Sequence, residues 1–141
     1  MLYFDTCFLV PYFASEATSA SIEAFFAKPP AGGLAISSWT ESEFYGALGI
    51  KIRTSQITEP VSLLAQTRFE QIRTEFFELW HVTRDDYLLA KEYLKSWKVG
   101  LRSGDALHLA IAHNHKASCF YTLDERLLKA ARHFKIPAKS L

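Results

Sequence analysis

Cysteine is nearly absent from this chain. Its 141 residues include only Cys7 and Cys119, far apart, each inside an apolar stretch, with no Cys-x-x-Cys pair. That excludes a disulfide framework and a structural zinc site. Both read as reduced core residues of a cytosolic protein. An excess of charge is also lacking: 16 basic and 15 acidic side chains leave a net charge of +1. This argues against a protein that holds nucleic acid by charge alone, but it leaves room for a local basic rim. No apolar run approaches the ~18 residues of a membrane span. The apolar N-terminus has no basic region and is broken by Asp5, so no signal peptide is expected. Repeats, low-complexity tracts and linkers are missing too. What is plentiful is apolar surface, with 49% hydrophobic and 14% aromatic residues. That is enough to bury the core of one domain over residues 1–141.

Short apolar runs alternate with longer helical patterns. Strands are expected at Leu2–Phe4, Leu34–Ser37, Leu79–Val82 and Cys119–Leu123, with a last short one within Ile136–Leu141. Helices are expected at Ala17–Ala27, ended by Pro29-Pro30-Ala-Gly-Gly, and at Glu41–Lys51, entered through Ser38 or Thr40. Pro60–Phe77 is a long amphipathic segment with Val61, Leu64, Ala65, Phe69, Ile72 and Phe76 at helical spacing. Thr83 caps Asp85–Trp97, and Gly100 stops that segment. Ser103 caps Asp105–His113, and Asp124–His133 closes the helix set. Pro11 is expected to limit any helix over residues 6–14. This alternation predicts an α/β fold with a mostly parallel sheet. In such sheets the functional crevice lies outside the carboxyl ends of the strands.

Four carboxylates map to that edge. Asp5 follows the first expected strand, Glu43 lies early in the helix after the second, Asp105 opens its helix, and Asp124 follows the fourth strand. Each alone suits a duller role: the three aspartates as helix caps or macrodipole partners, Glu43 as a solvated helix residue. Together they form a cluster whose mutual repulsion a divalent cation would relieve. Oxygen-only ligands suit Mg²⁺ or Mn²⁺, in a pocket fit for phosphoryl transfer. Arg102 and Arg126, beside two of the acids, are candidates to offset the repulsion of a phosphate backbone.

These stretches resemble a known family. "LYFDTCFLV" is similar to the opening motif of PIN domains, a strand ending in Asp followed by Thr or Ser. "ISSWTESEFYGAL" resembles the second motif, with Glu43 as its acid and Thr40 three residues before it. "LRSGDALHLAIA" resembles the third, at Asp105, and "FYTLDERLLKAA" the fourth, with Thr122 and Asp124. The motifs run in order along nearly the whole chain, whose length and layout are similar to the VapC toxins of prokaryotic toxin–antitoxin modules. The resemblance implies a PIN-like three-layer α/β/α fold with a central, mostly parallel twisted sheet. It implies a cytoplasmic, Mg²⁺-dependent endoribonuclease, with Mn²⁺ able to substitute, leaving a 5′-phosphate and a 3′-hydroxyl. It also implies a homodimer and a cognate antitoxin that inserts a segment near the acidic site. Asp5, Glu43, Asp105 and Asp124 match the catalytic and metal-binding acids, and Thr6 or Thr122 would be hydroxyl helpers.

Other features carry less. His108, His113 and His115 lack the partners zinc needs and read as structural or solvated, with His108 able to face the site's edge. The aromatics around Glu43 and along the long helix read as core, and part of Glu41–Phe77 as an interface for a dimer partner or antitoxin helix. A haloacid-dehalogenase-like phosphatase would need a second Asp where Cys7 stands. A receiver domain would need an acidic pair and a strand-end Lys that are not evident. The remaining rivals are a PIN-type RNA-processing nuclease and a non-catalytic PIN-like module that binds RNA or protein.

Overall fold

The computed structural model describes residues 1–141. Five strands, β1 (Leu2–Phe4), β2 (Leu34–Ser37), β3 (Phe77–Trp80), β4 (Cys119–Tyr121) and β5 (Ala138–Lys139), form one sheet in the order β3-β2-β1-β4-β5. Every pairing is parallel, so the sheet is wholly rather than mostly so. Seven helices cover it: α1 (Thr6–Phe13), α2 (Ser19–Ala27), α3 (Ser38–Arg53), α4 (Glu59–Phe76), α5 (Arg84–Lys95), α6 (Ser103–Asn114) and α7 (Glu125–His133). No helix is long and apolar enough to cross a membrane.

The three inner strands, β1, β2 and β4, are buried on both faces, which is why they read as continuous apolar runs. Their side chains still divide with period two. Leu2, Phe4, Ile36, Cys119 and Tyr121 point into one core with α1–α4, while Tyr3, Ala35 and Phe120 point into a second core with α5–α7. The expected three layers are therefore present, with the sheet between two separate cores.

Several boundaries differ from the sequence reading. Pro11 does not stop α1, which runs through it. The ring removes the N–H that would bond to the Cys7 carbonyl. Burial of Phe8, Leu9, Val10 and Phe13 on this short helix outweighs that loss. Helix α3 starts earlier than expected because Ser37, not Ser38 or Thr40, is its cap. The Ser37 hydroxyl accepts the Thr40 N–H, and the Thr40 hydroxyl accepts the Ser37 N–H. Helix α6 begins at Ser103, which is its first residue and not its cap. Strand β3 begins at Phe77 and ends at Trp80, since its register is set by pairing with Leu34–Ser37. The stripe on α4 is split: Ser62, Ala65 and Phe69 pack inward, while Val61, Leu64 and Phe76 are exposed. Thr83 does cap α5, and Gly100 ends the following 3₁₀ turn at φ 74°, a left-handed conformation glycine adopts at little cost.

Candidate functional site

The chain steps from β1 to β2 and β3 on one side, then returns to lay β4 and β5 on the other. The order therefore reverses between β1 and β4, and the carboxyl ends of these two strands diverge to leave a crevice. Asp5 follows β1 directly. Asp124 is set off from β4 by Thr122 and Leu123, because the strand ends at Tyr121 and not at Leu123. Asp124 is accordingly the cap of α7 rather than its first residue, accepting the N–H groups of Arg126 at 2.7 Å and Leu127 at 3.2 Å. Asp5 caps α1 through the Phe8 N–H at 2.9 Å. Asp105, in the first turn of α6, accepts the Arg102 N–H at 3.4 Å. Glu43 points in from the second turn of α3.

These four acids, with Thr6, line one open cleft of about 650 Å³. Thr122 is buried just behind it, accepting the Asp124 N–H at 3.0 Å. Arg102 and Arg126 are exposed, form no salt bridge and do not line the cleft. The capping roles and the gathering of acids thus coexist. Backbone N–H groups hold one oxygen each of Asp5, Asp105 and Asp124, Thr6 and His108 hold Oε2 of Glu43, and the Cys7 thiol lies 3.2 Å from both Asp5 oxygens. Held this way, no three His, Cys, Asp or Glu side chains stand close enough together to enclose a metal ion.

The electrostatics separate the acids. Burial pushes the Asp5 carboxyl up, and the nearby His108 and the Phe8 N–H offset this only in part. Burial also raises Asp105, helped by the negative charge of Asp124. Glu43 goes the other way. Burial would raise it too, but the hydrogen bond with His108 and the Thr6 hydroxyl outweigh that and hold it below the usual range. The fold therefore disfavours charge on Asp5 and Asp105, whereas Glu43 is already served by the protein.

Three residues here were passed over or misjudged from sequence. His108 is not solvated: it is 2% exposed, and at the site's edge its Nε2 lies 2.7 Å from Glu43 Oε2. Tyr3 has its hydroxyl 2.8 Å from His108 Nδ1. Its signal was a tyrosine inside an apolar strand, where a buried O–H demands a partner. Cys7 was read as core but is exposed on the cleft wall. Part of the residue faces solvent, but its sulfur is packed 3.2 Å from both Asp5 oxygens and accepts the Leu123 N–H at 3.2 Å, and the burial of that sulfur, with the charge of Asp5, pushes the thiol up. Cys119 is buried as expected. His113 bonds to Tyr93 at 3.2 Å and His115 stacks on Trp80 at 4.5 Å, so both are structural.

The family model of the PIN domain matches residues 2–133. This chain belongs to the PIN domain family. Solved structures agree on the fold. The PIN domain here is similar to VapC20 of Mycobacterium tuberculosis, described as a toxin that cleaves the sarcin–ricin loop. That match has TM-score 0.74 and 18% identity, covering 92% of this chain and 95% of that one. It is also similar to a chain of FitAcB from Neisseria gonorrhoeae, with TM-score 0.74, 14% identity and coverages of 98% and 96%. A third match is VapBC2 from Rickettsia felis bound to a promoter DNA fragment, at TM-score 0.65, 14% identity and coverages of 100% and 99%. A search of curated proteins gives no match.

Proposed function

We propose that this PIN domain is a Mg²⁺-dependent endoribonuclease, the toxin of a type II toxin–antitoxin module. The observation that carries this is the placement of four carboxylates, distant in sequence, on one cleft at the β1/β4 switch point. The donor chemistry suits a hard divalent cation, since it is all oxygen and includes two aspartates whose charge burial disfavours, and the side chains would draw together to enclose the ion. Asp5, Asp105 and Asp124 would hold Mg²⁺ or Mn²⁺, with Glu43 holding a second ion or orienting the attacking water. A bound cation would lower the pKa of that water and offset charge on the scissile phosphate.

The rest of the chain serves the substrate. Thr6 donates to Glu43 at 2.5 Å and fixes its direction. Arg102 and Arg126 stand exposed at the starts of α6 and α7, and Lys129 and Arg132 continue a basic outer face along α7. These cations would offset the repulsion between an acidic cleft and an RNA backbone. A single strand suits the cleft, because the scissile phosphate must be presented free of a duplex. The fold likeness to VapC20 and to VapBC2 supports the toxin reading, a cytoplasmic location and an antitoxin partner. Exposed Ile50, Val61, Leu63 and Leu64 on α3 and α4 support an interface within Glu41–Phe77, for a homodimer or the antitoxin.

The test is incubation of the purified protein with single-stranded RNA, in Mg²⁺ and in EDTA, beside Asp5→Asn. Internal cleavage by the wild type alone, and only with the cation, is expected. Equal cleavage by Asp5→Asn would sink the assignment. RNA binding with no cleavage by either protein would favour a non-catalytic module.

A further inference from the structure

The acid that the fold already serves is the one whose seat is most elaborate. Glu43 Oε2 accepts from Thr6 on α1 and lies 2.7 Å from His108 Nε2 on α6. One turn before His108, α6 carries Gly104. A Cβ there would stand 2.9 Å from Glu43 Oε1, so any other residue would push the carboxylate aside from this position. Trp39 Nε1 is buried beside the same spot and helps to hold the Glu43 carboxyl down. Gly104 and His108 are four residues apart and share one face of α6.

Behind His108 a chain of buried groups sets the direction of every proton. An ionised carboxylate only accepts, so His108 Nε2 must carry the N–H that Glu43 takes. In the neutral ring Nδ1 then accepts from the Tyr3 hydroxyl at 2.8 Å, and Tyr3 oxygen in turn takes the Ser37 hydroxyl at 2.8 Å. Ser37 Oγ is within 3.1 Å of the Thr40 hydroxyl, which completes the run. Tyr3 is itself locked between Trp80 and Phe120, with ring centroids 5.3 and 5.7 Å away. Ser37 caps the helix that bears Glu43, so the run leaves α3 at its N-terminus, passes through β1 and α6, and returns to α3 six residues later. A satisfied buried network of this kind holds one geometry, because breaking any link strands a polar group.

We propose that His108, backed by Tyr3 and given clearance by Gly104, is a positioning residue that clamps Glu43 by one oxygen and presents only Oε1 to the cleft. This rests on the nuclease reading for its consequence in catalysis, but the clamp itself does not. Glu43 then enters the site as a one-oxygen ligand or water-orienting group, in contrast to the aspartates.

The experiment has three arms. In ¹H–¹⁵N spectra of the metal-free wild type, a protected His108 Nε2–H resonance is expected, and Glu43→Gln should shift it. Its absence, or indifference to Glu43→Gln, would overturn the clamp. Next, His108→Leu should lower Mn²⁺ affinity and kcat by about 10–100-fold, the usual cost of losing a group that orients a ligand. KM should stay within about twofold and His108→Gln, which restores a donor near Nε2, should recover most of kcat. Wild-type kcat and Mn²⁺ affinity in His108→Leu would overturn the proposal. Last, His108→Leu placed on Glu43→Gln should cost nothing further, whereas independent losses would mean a role in folding only. If His108→Leu does not fold, Tyr3→Phe tests the same chain, and an unmoved resonance with wild-type kcat would count against it. A wild type that cuts no RNA but shows the resonance, and loses Mn²⁺ affinity with His108→Leu, would fail the nuclease reading and leave the clamp standing.

Discussion

The two faces of the sheet are built from different materials. On the α1–α4 side the filler is aromatic: Phe4, Phe8, Phe13, Phe44, Phe69 and Tyr121 are buried together, with Phe25, Phe26 and Phe77 at the margin. On the α5–α7 side it is largely alanine, including Ala35, Ala90, Ala106, Ala110, Ala130 and Ala131. Large rings supply burial, about 150–250 Å² for each aromatic side chain. Small side chains let α6 pack closely against α5, and α6 carries Gly104, Asp105 and His108 to Glu43 at the carboxyl edge. One face therefore buries more aromatic surface, while both supply the site: Asp5, Thr6 and Glu43 come from the first, Gly104, Asp105 and His108 from the second.

The largest effect expected from this contrast is on the aromatic side. Phe69 is 1% exposed and stacks on Phe44 at 4.0 Å. Phe69→Ala should cost about 3–5 kcal/mol in urea unfolding, while cleavage per folded molecule stays near wild type. The converse variant is Ala110→Leu, at a fully buried position on α6. It should cost only ~1–3 kcal/mol by overpacking, yet cut cleavage at least tenfold by displacing α6. If Phe69→Ala abolished cleavage and Ala110→Leu spared it, the contrast would be wrong.

A smaller effect lies at the outer end of the aromatic side. Lys51 is 8% exposed and pairs with Glu16 at 2.6 Å, with Gln56 at 3.4 Å as its other partner. Glu16→Ala should destabilise by about 1–2 kcal/mol. That is less than breaking a fully buried pair, because a third of Glu16 is exposed. Thermal denaturation of this variant should show the loss with no change in Mn²⁺ affinity.

The smallest effect is in pH. Asp5 and Asp105 bind a proton more tightly folded than unfolded, so the metal-free protein should gain stability as pH falls from neutral into the range just above ordinary carboxylates. Glu43 has the opposite sign. Its contribution is present above the usual glutamate range and is lost as pH falls through its lowered value. Melting curves in EDTA should therefore rise and then fall on acidification. Asp5→Asn, whose amide still caps α1, should flatten the rise and be no less stable than wild type at neutral pH. A wild-type curve that only falls would contradict the reading of these two aspartates.

Much of this was legible in the chain. Strand positions, the parallel sheet and the four carboxylates follow from apolar runs, helix starts and short motifs, which depend on neighbours in sequence. The misread elements share a different cause. Pro11 sits inside a helix because packing of Phe8 and Phe13 overrides a local rule. Half of the α4 stripe faces out because α4 rests on α1 and α3 along the Ser62–Ala65–Phe69 line only. His108 looked idle because its two partners lie 65 and 105 residues away. A cue existed in its spacing, three residues after Asp105 and four after Gly104, which puts it on the face that approaches the cleft.

Local chemistry in the sequence was sufficient to give this protein its secondary structure, its family and its acids, since caps, strand ends and apolar periods act within a few residues. Which oxygen of Glu43 is held, that Cys7 sits exposed against Asp5, and that Tyr3 speaks to His108 were decided by tertiary packing. Those contacts exist only once the folded chain sets His108 of α6 against Tyr3 of β1, and no pattern along the chain encodes a distance across the sheet.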